Sequence, residues 1–190
     1  MSAPDYALEE AAFRAGARVV AGVDEVGRGP LAGPVTAAAV VLDIRRIPQG
    51  INDSKKLSPK RREMLAQAIM ECCDWAVGHA SVEEIDALNI LRASHLAMCR
   101  AIAGLRQRPD LALIDGNMLP RDLPMPGQAV VKGDARSLSI AAASLVAKLL
   151  RDRIMVGIMT RFAAEGIVIP YPTQTTFTAA PDGTLVLPYA

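Results

Sequence analysis

The chain has 190 residues, half of them apolar and few of them aromatic, which is enough to bury one aliphatic, close-packed core. A formal net charge of +1 excludes a generally basic nucleic-acid coat, so any polyanion contact must come from local clusters. Three cysteines, Cys72, Cys73 and Cys99, are odd in number and lack metal-ligand spacing; they read as reduced packing residues of a cytoplasmic protein.

Residues 1–17 are Ala-rich and charged and read as a loose helical extension without the layout of a secretory signal. A first strand is predicted over 18–26. It runs into two adjacent carboxylates, Asp24 and Glu25, and then into Gly27-Arg28-Gly29-Pro30. Burying an unpaired carboxylate is expensive, so such a pair either sits at a solvated corner or faces a cation or a reacting group. Glycines let the backbone turn sharply or approach a ligand closely, and a guanidinium between them suits phosphate. Residues 35–42 carry no charge and suit a strand buried on both faces.

Ser54, Lys55 and Lys56 come next, with Lys60, Arg61 and Arg62 close behind. They flank a helix that opens with Ser58 as N-cap and Pro59 at its first position. This basic group is either a solvated helix start or a contact for a nucleic-acid backbone. Met64, Leu65, Ala68, Ile69 and Cys72 are predicted to form the buried face of that helix. A third strand is predicted over 74–80, a capping box at Ser81-Val82-Glu83-Glu84 opens a short helix, and 88–105 forms a longer, buried one.

A short strand over 111–114 delivers Asp115 at its carboxyl end, and a Pro-rich loop follows. A strand over 128–132 ends in Gly133-Asp134, and Ser137 or Ser139 then caps an Ala-rich helix to about residue 155. Lys148 on that helix is either solvated or a phosphate neighbour. Four charges, at Lys148, Arg151, Asp152 and Arg153, interrupt its apolar stretch and argue against a membrane span.

Strands separated by helices imply an α/β or α+β sheet, with ligands outside the carboxyl ends of its parallel strands. If the strands of Asp24 and Asp115 are neighbours, Asp24, Glu25, Asp115 and Asp134 converge. Carboxylates gathered in this way repel one another unless cations neutralise them, and all-oxygen donors favour Mg²⁺ or Mn²⁺. Two such ions about 4 Å apart can activate a water on one side of a phosphodiester and stabilise the leaving oxygen on the other. His79 and His95 are solitary and read as structural or exposed, and no Ser/His/Asp or Cys/His motif competes.

Ala21-Gly22-Val23-Asp24-Glu25-Val26-Gly27-Arg28-Gly29-Pro30 resembles the opening signature of bacterial ribonuclease HII, the type 2 ribonuclease H. Asn52-Asp53-Ser54-Lys55-Lys56-Leu57, Leu113-Ile114-Asp115-Gly116-Asn117 and Val130-Val131-Lys132-Gly133-Asp134 match its later motifs in order. Ser139-Ile140-Ala141-Ala142-Ala143-Ser144, with Lys148 and Arg151-Asp152-Arg153, matches its following helix. The resemblance implies a ribonuclease-H-like α/β fold, a mixed β-sheet flanked by helices. It further implies an endoribonuclease that cuts RNA in RNA–DNA hybrids and incises at ribonucleotides embedded in duplex DNA, leaving 5′-phosphate and 3′-hydroxyl ends. Mg²⁺ or Mn²⁺, two ions with substrate bound, would then be held by Asp24, Glu25, Asp115 and Asp134. Gly27, Arg28 and Gly29 would sense the ribose 2′-hydroxyl, while Ser54, Lys55, Lys56 and Lys148 would lie along the nucleic acid. We expect a monomer without a membrane partner.

The likeness covers about 19–155, which gives an extension over 1–17, a catalytic domain over 18–155 and a divergent segment over 156–190. Relatives continue with a Lys-Gly-Tyr segment and a basic tail, whereas here no Lys or Arg follows Arg161, and Tyr171 lacks that context. Apolar alternation at 166–169 and 184–187 suits an added strand or hairpin; a disordered tail suits the composition equally. The alternative to the enzyme is a non-catalytic, nucleic-acid-binding remnant of the same fold.

Overall fold

The computed structural model describes residues 3–30 and 32–167, together with the backbone of 178–179 and 185–186. It divides into two units, residues 1–149 and 150–190. In the first, β1 (Val20–Val26), β2 (Val35–Val41), β3 (Asp74–Ala80), β4 (Leu111–Asp115) and β5 (Gly127–Val130) form one mixed sheet in the order β3-β2-β1-β4-β5. β1, β2 and β3 are an antiparallel meander, while β4 and β5 continue parallel to β1. This is the mixed, helix-flanked sheet expected from the sequence.

Alternation along the strands sorts the core into two layers. Val23, Val35, Ala37, Ala39, Ala112 and Ile114 face helix α4 (Ile90–Ala103), packing against its Ala93, Ala97, Met98 and Ala101. The opposite face holds Val20, Leu113 and Val130 against Ala12 of α1 (Ala7–Arg14) and Ile140 of α5 (Leu138–Ala164). The abundance of alanine fits helices packed close to the sheet.

Local signals place most boundaries. Ser58 caps α2 (Pro59–Cys72) through the Arg61 N–H, and Ser81 with Glu84 completes a reciprocal capping box on α3 (Val82–Leu88). Four expectations need correction. The buried stripe of α2 is Leu65, Ala66 and Ile69, whereas Met64 is exposed, since it lies roughly 150° round the helix from the stripe's centre. The helix predicted over 88–105 is interrupted at Asn89, whose φ of +69° ends α3 while its side chain caps Leu91 and Arg92. β5 stops at Val130 because Lys132 turns left-handed at φ +55°. The N-terminal segment is not loose, because Ala12 sits in the core and Glu9 is buried.

The second unit contains the remainder of α5, which runs past residue 155 to Ala164, and a two-residue antiparallel pair, β6 (Thr178–Ala179) and β7 (Leu185–Val186). β7 lies within the predicted 184–187 strand. Gly166 is in a turn, while residues 168–169 and Tyr171 lie outside the described residues. Among the described residues, no helix is long and apolar enough to cross a membrane.

Candidate active site

Sheet register brings the first two acids together. β1 and β4 run parallel with Val23 opposite Ile114, so the next residues, Asp24 and Asp115, lie side by side at the carboxyl ends. Val23 and Ile114 face α4; alternation therefore turns Asp24 and Asp115 towards the other side, where Ser144 of α5 hydrogen-bonds to Asp24. Glu25, one residue further, points away from Asp24 for the same reason. Its Oε1 accepts from Arg28 Nη1 at 3.3 Å, and its Oε2 is buried without a partner among the described residues.

Asp134 reaches the site from a 3-10 turn, Gly133–Ala135, that follows β5. The Gly133 N–H donates to Asp115 Oδ1 at 2.6 Å. A Cβ at residue 133 would stand 3.1 Å from that oxygen and 2.6 Å from the buried Ile140 Cδ1, so a side chain there would have to push Ile140 aside.

The acids form one electrostatic group. Burial pushes the Asp24 carboxyl well above its ordinary value, and Glu25 and Asp115 add to the rise, against hydrogen bonds from Ser144 and the Glu25 N–H. Glu25 is raised by burial, opposed by Arg28, with Asp115 again raising it. Burial raises Asp134 too, reinforced by Asp53 and Asp115 and opposed by Lys55. Asp115 is common to all three.

Among the described residues, no three His, Cys, Asp or Glu side chains are drawn closely enough to enclose an ion as they stand. The physical reason is visible around each acid. Like charges hold apart, and protein donors answer Asp24, Glu25 and Asp115 in turn. A set of hard carboxylate oxygens that includes the orphaned Glu25 Oε2 nevertheless fits Mg²⁺ or Mn²⁺ in chemistry.

Around this group lie the other predicted residues. Gly27 has φ +106°, and a Cβ at Gly29 would meet nothing within 4 Å among the described residues. Ser54 is buried at the head of a 3-10 turn, Ser54–Lys56, from which Lys55 and Lys56 emerge exposed. The Ser54 Oγ lies 3.2 Å from Ser144 Oγ, which links the basic turn to Asp24. Lys148 is partly buried on α5. Sequence reasoning assigned no role to Ser144 or Asp53, although both stand inside matched motifs. Two surface hollows, one lined by Gly16, Arg18 and Asp110 and the other by Tyr6, Asp43 and Arg46, include none of the four acids. His79 is engaged structurally, with its Nδ1 3.0 Å from Thr36 Oγ1.

The model of the family described as Ribonuclease HII matches residues 21–174. The chain belongs to the ribonuclease HII family. Its match extends beyond residue 155 and takes in Tyr171. Ribonuclease HII of Paracoccus denitrificans is 76% identical over 166 residues, which are 87% of this chain and 79% of that protein. Among solved structures, ribonuclease H2 from Pyrococcus horikoshii OT3 aligns with a TM-score of 0.66 at 29% identity, covering 76% of this chain and 77% of that one. Bst-RNase HIII, solved in complex with Mn²⁺, aligns at 0.67 and 24% identity over 84% of this chain and 59% of its own, a likeness of fold. The chain is accordingly a nuclease of the ribonuclease H class, with the ribonuclease-H-like sheet of that class.

Proposed function

We propose that this enzyme hydrolyses the RNA strand of RNA–DNA hybrids and incises beside ribonucleotides embedded in duplex DNA, leaving 5′-phosphate and 3′-hydroxyl ends. The observation that carries the reading is the electrostatic group itself: Asp24, Glu25 and Asp134 all feel Asp115 at the carboxyl ends of parallel strands. Asp24, Glu25, Asp115 and Asp134 would hold Mg²⁺ or Mn²⁺. When bound, such ions neutralise charge on a phosphodiester and make water acidic enough to attack at neutral pH. Arg28 and the backbone of Gly27 and Gly29 would read the ribose 2′-hydroxyl, the group that separates RNA from DNA. Ser54 orients the basic turn, and Lys55, Lys56 and Lys148 would neutralise backbone phosphates.

Nothing in the comparisons supports the non-catalytic remnant. The test is cleavage of duplex DNA carrying one ribonucleotide, with Mg²⁺ or Mn²⁺ against EDTA. Metal-dependent cutting with a 5′-phosphate is expected; binding without cutting at any enzyme concentration would overturn the proposal. Arg28→Ala should lower the preference for ribonucleotide over deoxyribonucleotide substrates by about tenfold, the size of one lost charge-assisted hydrogen bond. An unchanged preference would remove Arg28 from 2′-hydroxyl recognition.

A further inference from the structure

The family match begins at residue 21, yet the segment before it holds an acid more deeply buried than Asp24: Glu9, 1% exposed against 6%. One oxygen, Oε1, accepts from Ser137 Oγ, Ser139 Oγ and the Ser139 N–H, at 2.5, 2.6 and 2.9 Å. The other, Oε2, is buried without a partner among the described residues. Ser137 Oγ also accepts from the Ile140 N–H at 3.1 Å, so Glu9 anchors the side chain that caps α5. Backbone bonds run beside it: Leu138 N donates to Asp5 O at 3.0 Å, and Asp5 N to Arg136 O at 3.4 Å.

The pinned segment leads directly back to the acids. Ser137 N and Arg136 N both donate to Gly133 O, at 2.8 and 2.9 Å, and the Gly133 N–H holds Asp115 Oδ1. Asp134 is the middle residue of that same turn. Docking α1 would not require a carboxylate, since Ala12 already packs in the core. Burying a carboxylate with one oxygen unanswered is unfavourable. Its advantage lies in direction: one oxygen gathers three donors and fixes the start of α5.

We infer that Glu9 is a positioning residue for the acid site, acting through Ser137 and the 133–137 turn to set where Asp134 and Asp115 present their oxygens. This rests on the reading that those acids hold the ion. The experiment measures Mn²⁺ binding by calorimetry, and kcat and KM separately on hybrid substrate, well below each variant's Tm. Glu9→Ala should weaken Mn²⁺ binding and lower kcat by about tenfold, the lower range for loss of an outer partner of a ligand, with KM nearly unchanged. Glu9→Gln keeps an acceptor at Oε1 and should recover most of both. Ser139→Ala removes one of the three donors to Glu9 Oε1 while leaving the sequence of α1 intact, and should weaken binding about threefold, in the same direction but less than that range. It decides the matter if Glu9→Ala does not fold. Parent-like Mn²⁺ binding in Glu9→Ala and Ser139→Ala, beside a lost response in Asp134→Asn, overturns the positioning role alone. Parent-like binding in Asp134→Asn as well overturns the metal reading beneath it.

Discussion

Asp24, in the carboxyl half of β1, and Asp74, the first residue of β3, are both buried acids of the same sheet, 6% and 5% exposed, and their surroundings are opposite. Asp74 opens β3 and accepts from Arg106 N and Nε and from Gln107 N, at 3.3, 3.1 and 2.8 Å. Donors surround it, and it ties the chain after α4 to the sheet. Asp24 accepts from the Glu25 N–H at 2.7 Å and from Ser144, but its other neighbours, Glu25 and Asp115, share its sign. Burial alone therefore does not mark a functional acid; the sign of the neighbours does.

The largest expected effect breaks the Asp24 side of this contrast. Asp24→Asn should lower turnover by about 10³-fold, the rate equivalent of roughly 4 kcal/mol of lost charge stabilisation. In EDTA the same variant should be more stable than the parent at neutral pH. The sign follows from linkage: the folded carboxyl titrates above its ordinary 3.8, so the folded state binds more protons than the unfolded state between the two values. Stability from this group is present below 3.8 and is lost as pH rises through the raised folded value. Thermal unfolding of both proteins from pH 4 to 8 checks it; a parent curve parallel to that of the variant would show that Asp24 carries no such penalty.

Asp74→Ala probes the other side. It leaves the Arg106 and Gln107 N–H groups without their acceptor and should destabilise the fold by about 2 kcal/mol. Turnover per folded molecule should stay near that of the parent. Calorimetric unfolding together with active-site-normalised rates measures both, and a parallel loss of rate would erase the distinction between the two acids.

What the sequence made legible follows the range of the interactions. Ser58-Pro59, Ser81 with Glu84, and the uncharged run of β2 announce themselves within a few residues, and all stand where expected. Asp24 and Asp115 were legible on one condition, that their strands be neighbours, and the parallel register meets it. Glu9 was not legible, because its partners lie 128 and 130 residues away. Nor was the turn of Glu25 to the sheet face opposite Asp24, although period-two alternation was the signal that contained it. The helix predicted to end near 155 runs on through Gly157, which keeps helical backbone; Gly166, with φ +69°, follows its actual end.

The smallest expected effect sharpens the comparison, because it concerns a neutral donor that Asp24 takes from another element. Ser144 Oγ lies between Asp24 and Ser54 Oγ, and Ser54 begins the turn that carries Lys55 and Lys56. Ser144→Ala should lower kcat/KM about threefold to tenfold, since a neutral hydrogen bond contributes roughly 1 kcal/mol. Ser54→Ala alone should act mainly on KM, through the basic turn. If the two serines transmit position from that turn to Asp24, the double variant should lose less than the product of the single losses, with a coupling of about 0.5–1 kcal/mol. Strict additivity in a double-mutant cycle on kcat/KM would mean that the basic turn and Asp24 are set independently. Ser144 would then serve Asp24 alone, as Gln107 serves Asp74.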